Sequence, residues 1–103
     1  MSLSIILRDE FGNEISDMMV DTANAITQTI AKATTLHLCC ARFIDPYDDT
    51  VFNSLQALSM VDEWDMLHPL FSENECDAIW GDIRKLIAEC ANHPHTYLVF
   101  IGD

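Results

Sequence analysis

Apolar positions along the chain change period several times, and the changes predict six elements. Leu3-Ser4-Ile5-Ile6-Leu7 reads as a strand, and Phe11-Gly12-Asn13 as the turn after it. Ile15, Met19, Ala23, Ile26, Ile30 and Ala33 then follow helical spacing, with Asp17, Asp21, Asn24 and Gln28 opposite them. That spacing predicts a helix starting at Ser16, with Asp17 in its first turn where the macrodipole favours an acid. The run Leu36 to Phe43 (LHLCCARF) is almost continuously apolar, as a central strand covered on both faces would be. Ile44-Asp45-Pro46-Tyr47-Asp48-Asp49 breaks it as a loop, because Pro46 disfavours helix at Asp45.

A second helix is predicted from about Thr50 to Leu67, capped by Asp49 or Thr50 and ended by Pro69. Val51, Leu55, Leu58 and Val61 supply its inner face, with Phe52 at one edge. Ser72 and Glu75 have capping-box spacing ahead of a third helix, whose stripe is Cys76, Ile79, Trp80, Ile83, Leu86, Ile87 and Cys90. His95 to Ile101 (HTYLVFI) closes the chain as a strand.

The expected fold is therefore α/β, in the order β-α-β-α-α-β, with a small three-stranded sheet packed against three helices. The first crossover should be parallel and right-handed. The direction of the last strand is not written in the sequence, so the sheet is either parallel or mixed. At 103 residues the chain forms one domain, residues 1–103, without repeat or linker.

Charge changes the picture of function. Seventeen acids stand against five Lys and Arg, a net charge of −12 on a chain that is 50% hydrophobic. Such a domain folds but repels itself, nucleic acid and anionic membrane, and a cationic partner would recover that cost. The apolar run at Leu3–Leu7 is far shorter than a membrane span, lacks a basic segment before it and is closed by Arg8-Asp9-Glu10. The expectation is a cytoplasmic protein whose Cys39, Cys40, Cys76 and Cys90 are reduced.

Several acids have local explanations, among them Glu73, Glu75 and Asp77 at the start of the third helix. Two clusters do not. Asp45, Asp48 and Asp49 surround Tyr47 in the loop, and Asp62, Glu63 and Asp65 surround Trp64 toward the end of the second helix, where acids oppose the macrodipole. Two readings stand for each. Either it is a hot spot for a basic partner, or it is a solvated face with its aromatic turned into the core.

No catalytic constellation assembles. The chain has no nucleophile elbow, phosphate-binding glycine loop or H-E-x-x-H. The Asp45 loop lacks the spacing of a calcium loop, and Asp49 reads as a helix cap. Cys90, His93 and His95, with Cys76, hint at zinc without any C-x-x-C pair, while two of those thiols lie on the apolar stripe. His37 reads as a structural histidine. The expectation is a protein that is not an enzyme and takes no metal or cofactor.

Three stretches carry a resemblance: Arg42 to Asn53 (RFIDPYDDTVFN), Leu55-Gln56-Ala57-Leu58, and Tyr97 to Asp103 (YLVFIGD). They are similar to small immunity proteins of bacterial contact-dependent growth inhibition and related polymorphic toxin systems. The resemblance covers about a quarter of the chain, and its motifs are not catalytic. It implies a cytosolic, non-catalytic protein that neutralises one cognate toxin domain, held with it as a heterodimer. If that toxin is a nuclease, with a ribonuclease preferred, its substrate surface must be cationic, and an acidic domain can cover it. The partner-binding residues would be Asp45, Tyr47, Asp48 and Asp49, with Asp62, Glu63, Trp64 and Asp65 as a second patch. Two alternatives come from other classes: an acidic nucleic-acid mimic acting on a host DNA-binding protein, and a small metal-dependent regulator or enzyme using the Asp45 loop.

Overall fold

The computed structural model describes residues 3–21, 24–33, 36–73 and 75–102. Its strands are β1 (Ser4–Asp9), β2 (Met19–Val20), β3 (Thr50–Phe52) and β4 (Thr96–Ile101), and its helices α1 (Ala25–Lys32), α2 (Ser54–Glu73) and α3 (Asp77–Asn92). A 3-10 turn spans Ala41–Phe43. The mixed α/β class is as expected, but the sheet is four-stranded and antiparallel throughout, in the order β2-β1-β4-β3. The predicted parallel crossover does not exist. β1 and β4 pair from Ser4↔Ile101 to Asp9↔Thr96, and the short β2 and β3 form the two edges.

Strand alternation decides what each face does. Ile5 and Leu7 of β1, with Leu98 and Phe100 of β4 and Phe52 of β3, point into the main core beneath the helices. Ile6 and its cross-strand partner Val99 are also buried, but outside that cluster.

The predicted helix from Ser16 is replaced by a return strand and a much shorter helix. Glu14 bridges back to Arg8, and the Ser16 hydroxyl accepts the Leu7 N–H at 2.9 Å, so this stretch extends β1 instead of coiling. Asp21, expected on a solvated face, is fully buried and accepts the N–H groups of Ala25 and Ile26, capping α1. Ala23 lies outside the described residues.

The predicted central strand Leu36–Phe43 is not a strand. Its apolar residues Leu38 and Ala41 do enter the core, but the N–H groups of Cys40 and Ala41 are taken by the Glu63 carboxylate, and the chain curls into the 3-10 turn.

The second helix begins four residues later than expected. Asn53 and Gln56 form a reciprocal cap: the Gln56 N–H donates to Asn53 Oδ1, and the Asn53 N–H to Gln56 Oε1, both at 2.9 Å. Thr50–Phe52 is thereby left to strand. The inner stripe of α2 is Ala57, Met60, Trp64, Leu67 and Phe71, while Leu55 and Leu58 face solvent. Pro69 lies inside α2 at an exposed position, so it removes one helix bond without ending the helix. The Ser72/Glu75 capping box does not form, because α2 runs to Glu73 and Glu75 sits in a left-handed turn at φ 57°. Ser72 donates to Asp77 Oδ1 instead, at 2.6 Å.

α3 has the predicted stripe, with Ile83, Ile87 and Cys90 buried and Ile79, Trp80 and Leu86 packed beside them. α2 and α3 form the most extensive helix contact. Two indoles lock it: Trp64 Nε1 donates to the Trp80 carbonyl at 3.1 Å, and Trp80 Nε1 to the Trp64 carbonyl at 2.7 Å. No described helix is long and apolar enough to cross a membrane.

Candidate functional site

The loop from Ile44 to Asp49 joins the 3-10 turn to edge strand β3, and its own side chains shape it. Asp45 Oδ1 accepts the Tyr47 N–H and Asp48 Oδ1 the Asp49 N–H, each at 2.8 Å, as Asx residues do in turns. Thr50 clamps the loop across its base: its hydroxyl accepts the Asp45 N–H at 3.0 Å and donates to the Phe43 carbonyl at 3.4 Å. The end of β4 holds the far side, where the Gly102 N–H donates to the Asp48 carbonyl at 3.1 Å. A Cβ on Gly102 would clash with the Asp48 backbone and come within 2.8 Å of the Asp45 carbonyl, so that contact requires glycine.

This loop leaves Tyr47 67% exposed between the exposed Asp45, Asp48 and Asp49. Among the described residues, none of these three carboxylates is within ion-pair distance of a base. Phe43 is exposed beside them, with the Arg42 guanidinium 4.6 Å from its ring centre. Val51, Leu55 and Leu58 are exposed just downstream. Charge and exposed aromatic surface therefore coincide at this edge of the sheet.

The second predicted cluster divides. Trp64 is fully buried in the α2–α3 clasp, and Glu63 is 6% exposed, so a surface hot spot centred on Trp64 is corrected to a core position. Only Asp62 and Asp65 reach solvent. Asp65 is engaged by Arg84 of α3, Nε to Oδ1 at 2.7 Å and Nη2 to Oδ2 at 3.1 Å. That bidentate bond holds the Asp65 carboxyl below the usual carboxylate range. Because α2 runs on to Glu73, these acids lie in mid-helix and do not oppose its C-terminal dipole as the sequence suggested; Asp65 ties α2 to α3, and Glu63 caps the 3-10 turn from which the Asp45 loop emerges. The second cluster supports the first from beneath and adds little to its surface.

Sequence reasoning missed Phe43, Val51, Leu55 and Leu58 as surface residues. For Val51 the signal that could have helped was Asn53-x-x-Gln56, a capping pair that starts α2 at Ser54 and leaves Thr50–Phe52 outside the helix. Cys39 is exposed, and Cys40 is half-buried, with a thiol pushed up by burial and by the Glu63 charge. Such a thiol is a poor nucleophile. Among the described residues, no group of three or more His, Cys, Asp or Glu is placed to hold a metal ion. Comparison with protein-family models, curated proteins and solved structures finds no match.

Proposed function

We propose that this protein is a non-catalytic inhibitor that acts in the cytoplasm by covering the cationic surface of one partner protein. Its preferred partner is a toxin domain of nuclease type, with a ribonuclease first. The observation that carries the reading is Tyr47, 67% exposed among three carboxylates that no described base neutralises, on a loop held at both ends. Clustered acids steer a basic surface into encounter, and an exposed aromatic on a pre-ordered loop then slows dissociation. A nuclease surface built for phosphates presents the complementary charge. The expected complex is a heterodimer in which carboxylates stand where phosphates would lie. The resemblance to immunity proteins proposed from Arg42–Asn53 falls on this same loop.

The test is capture of the partner from a bacterial lysate, identified by mass spectrometry and followed by mixing with the purified partner. Recovery of the C-terminal domain of a large secreted protein, whose nuclease activity is lost on mixing, is the expected result. Asp48→Lys should weaken the complex by about tenfold or more without moving Tm, and Asp62→Lys, in the cluster that adds little surface, should weaken it less. Unchanged affinity in both variants, or a partner whose activity survives mixing, would sink the reading.

A further inference from the structure

At the opposite edge of the sheet from the Asp45 loop, the stretch between the β1 turn and β2 lies across the side of α3. Ile15, Ser16, Asp17, Met18 and Met19 form one side and Asp82, Leu86 and Glu89 the other of a shallow, open groove of about 590 Å³. A smaller hollow of about 220 Å³ shares Ile15 and Glu89 and continues the groove toward Leu7, His93 and Thr96. The floor is apolar yet open: Ile15 is 50% and Met18 49% exposed, with Met19 and Leu86 half-buried beside them.

The rim has one sign of charge. Asp17, Asp82 and Glu89 are exposed, and none lies within ion-pair distance of a described base. No lysine or arginine lines the groove; Lys85 is the nearest base in sequence on α3, and His93, bonded through Nδ1 to the Glu89 carbonyl, stands in the adjoining hollow. Of the other exposed acids, Asp65, Asp77 and Glu10 are matched with Arg84, His68 and His95, while Asp45, Asp48, Asp49 and Asp62 are within ion-pair distance of no described base. The groove therefore combines uncompensated carboxylates with one solvent-facing methionine, Met18, whose flexible side chain adapts its shape to an apolar guest.

We infer that this groove is a docking site for an amphipathic helix of a partner protein bearing lysine or arginine along its polar edges. Asp82, Leu86 and Glu89 lie at i, i+4 and i+7 of α3, a face of about 10 Å that matches two turns of a guest helix. The guest's apolar stripe covers Ile15, Met18 and Leu86, while its flanking cations meet Asp17, Asp82 and Glu89. The two-residue β2 is too short to template an added strand, which disfavours an extended guest. The inference is independent of the Asp45 loop, because the two surfaces flank opposite sheet edges.

The probe is a fluorescently labelled synthetic peptide of about four helical turns, made of leucine and lysine at amphipathic spacing, with a leucine/glutamate counterpart. Anisotropy titration at low salt should show binding of the lysine peptide and none of the glutamate peptide. Asp82→Lys with Glu89→Lys should weaken it by at least about tenfold. The charge-neutral Met18→Ala should weaken it several-fold. Asp45→Lys with Asp48→Lys makes the same change in net charge at the other edge, and should leave the affinity within about twofold. Should the α3 double variant melt early by circular dichroism, Met18→Ala and peptide-induced shifts of the Met18 and Met19 methyl signals decide. Absence of binding, equal losses in the two double variants, or full affinity in Met18→Ala would overturn the inference. Equal losses would mark diffuse attraction to the −12 surface. Loss at Asp45 and Asp48 alone would also overturn it while leaving the loop reading standing.

Discussion

Glu63 illustrates how much one side chain decides in this chain. Buried to 6% exposure, its carboxylate accepts the Cys40 N–H at 3.1 and 3.2 Å and the Ala41 N–H at 3.0 Å. A negative charge at the start of a 3-10 turn takes N–H groups that have no other partner, and those bonds are charge-assisted. Glu63→Gln keeps the shape but loses the charge and one acceptor oxygen, so unfolding in urea should show a loss of about 1–3 kcal/mol. The same variant should loosen the Asp45 loop, and hydrogen exchange at Tyr47 and Asp48 would report it. No change in either measurement would mean that the turn stands without its cap. Asp21 acts in the same way on α1, with bonds of 3.0 and 2.8 Å to Ala25 and Ile26. Neither role is legible in the sequence, where both residues read as surface acids, because a buried carboxylate is recognised only by the N–H groups that come to meet it.

Among the elements, α3 was the most legible, since its stripe from Cys76 to Cys90 is long, unbroken and consistent with one period. The first and last strands were legible for a related reason: each is a short β-rich run beside a turn. α2 was harder because it carries two apolar stripes. Leu55, Leu58 and Val61 compete with Ala57, Met60, Trp64, Leu67 and Phe71, and the second set wins by burying a tryptophan and a phenylalanine 5.3 Å apart. The reciprocal indole bonds then join α2 to α3, so each helix is stable largely through the other. Trp64→Ala should cost about 3–5 kcal/mol in urea unfolding, as cavity and clasp are lost together. Trp80→Phe, which removes one indole bond near the surface, should cost about 1 kcal/mol. The expected pattern is a large stability loss at Trp64, with the proposed partner binding through Tyr47 intact in the fraction that folds. A mild Trp64→Ala effect would argue against the clasp. The run Leu36–Phe43 misled because a continuous apolar stretch describes burial and says nothing of whether its backbone finds a neighbouring strand.

For the whole molecule, charge sets the response to solution conditions. The chain folds to a radius of gyration of 12.5 Å, close to the ~13 Å expected for its length, while carrying a net charge of −12. Three carboxylates are held below the ordinary value of 3.8: Asp65 by its bond to Arg84, Asp77 by Ser72 and then His68, and Asp9 chiefly by the Asn13 N–H. As pH falls through that region the unfolded chain takes up protons at these groups before the folded chain does. Their contribution is therefore complete above about pH 4 and lost below it. A series of thermal melts should show Tm falling below that pH, and Asp65→Asn should flatten the fall; an unchanged slope in the variant would discount the Arg84 pair. The sequence by itself determined the mixed α/β class, the first and last strands, which pair at the centre of the sheet, the α3 stripe and the acid excess. These follow from local period and composition, which every residue expresses on its own. Tertiary structure decided the antiparallel order β2-β1-β4-β3, the buried face of α2, and which acids cap backbone and which remain uncompensated at the two sheet edges. Those outcomes depend on which distant segments lie side by side, and a period along the chain carries no record of its neighbours across it.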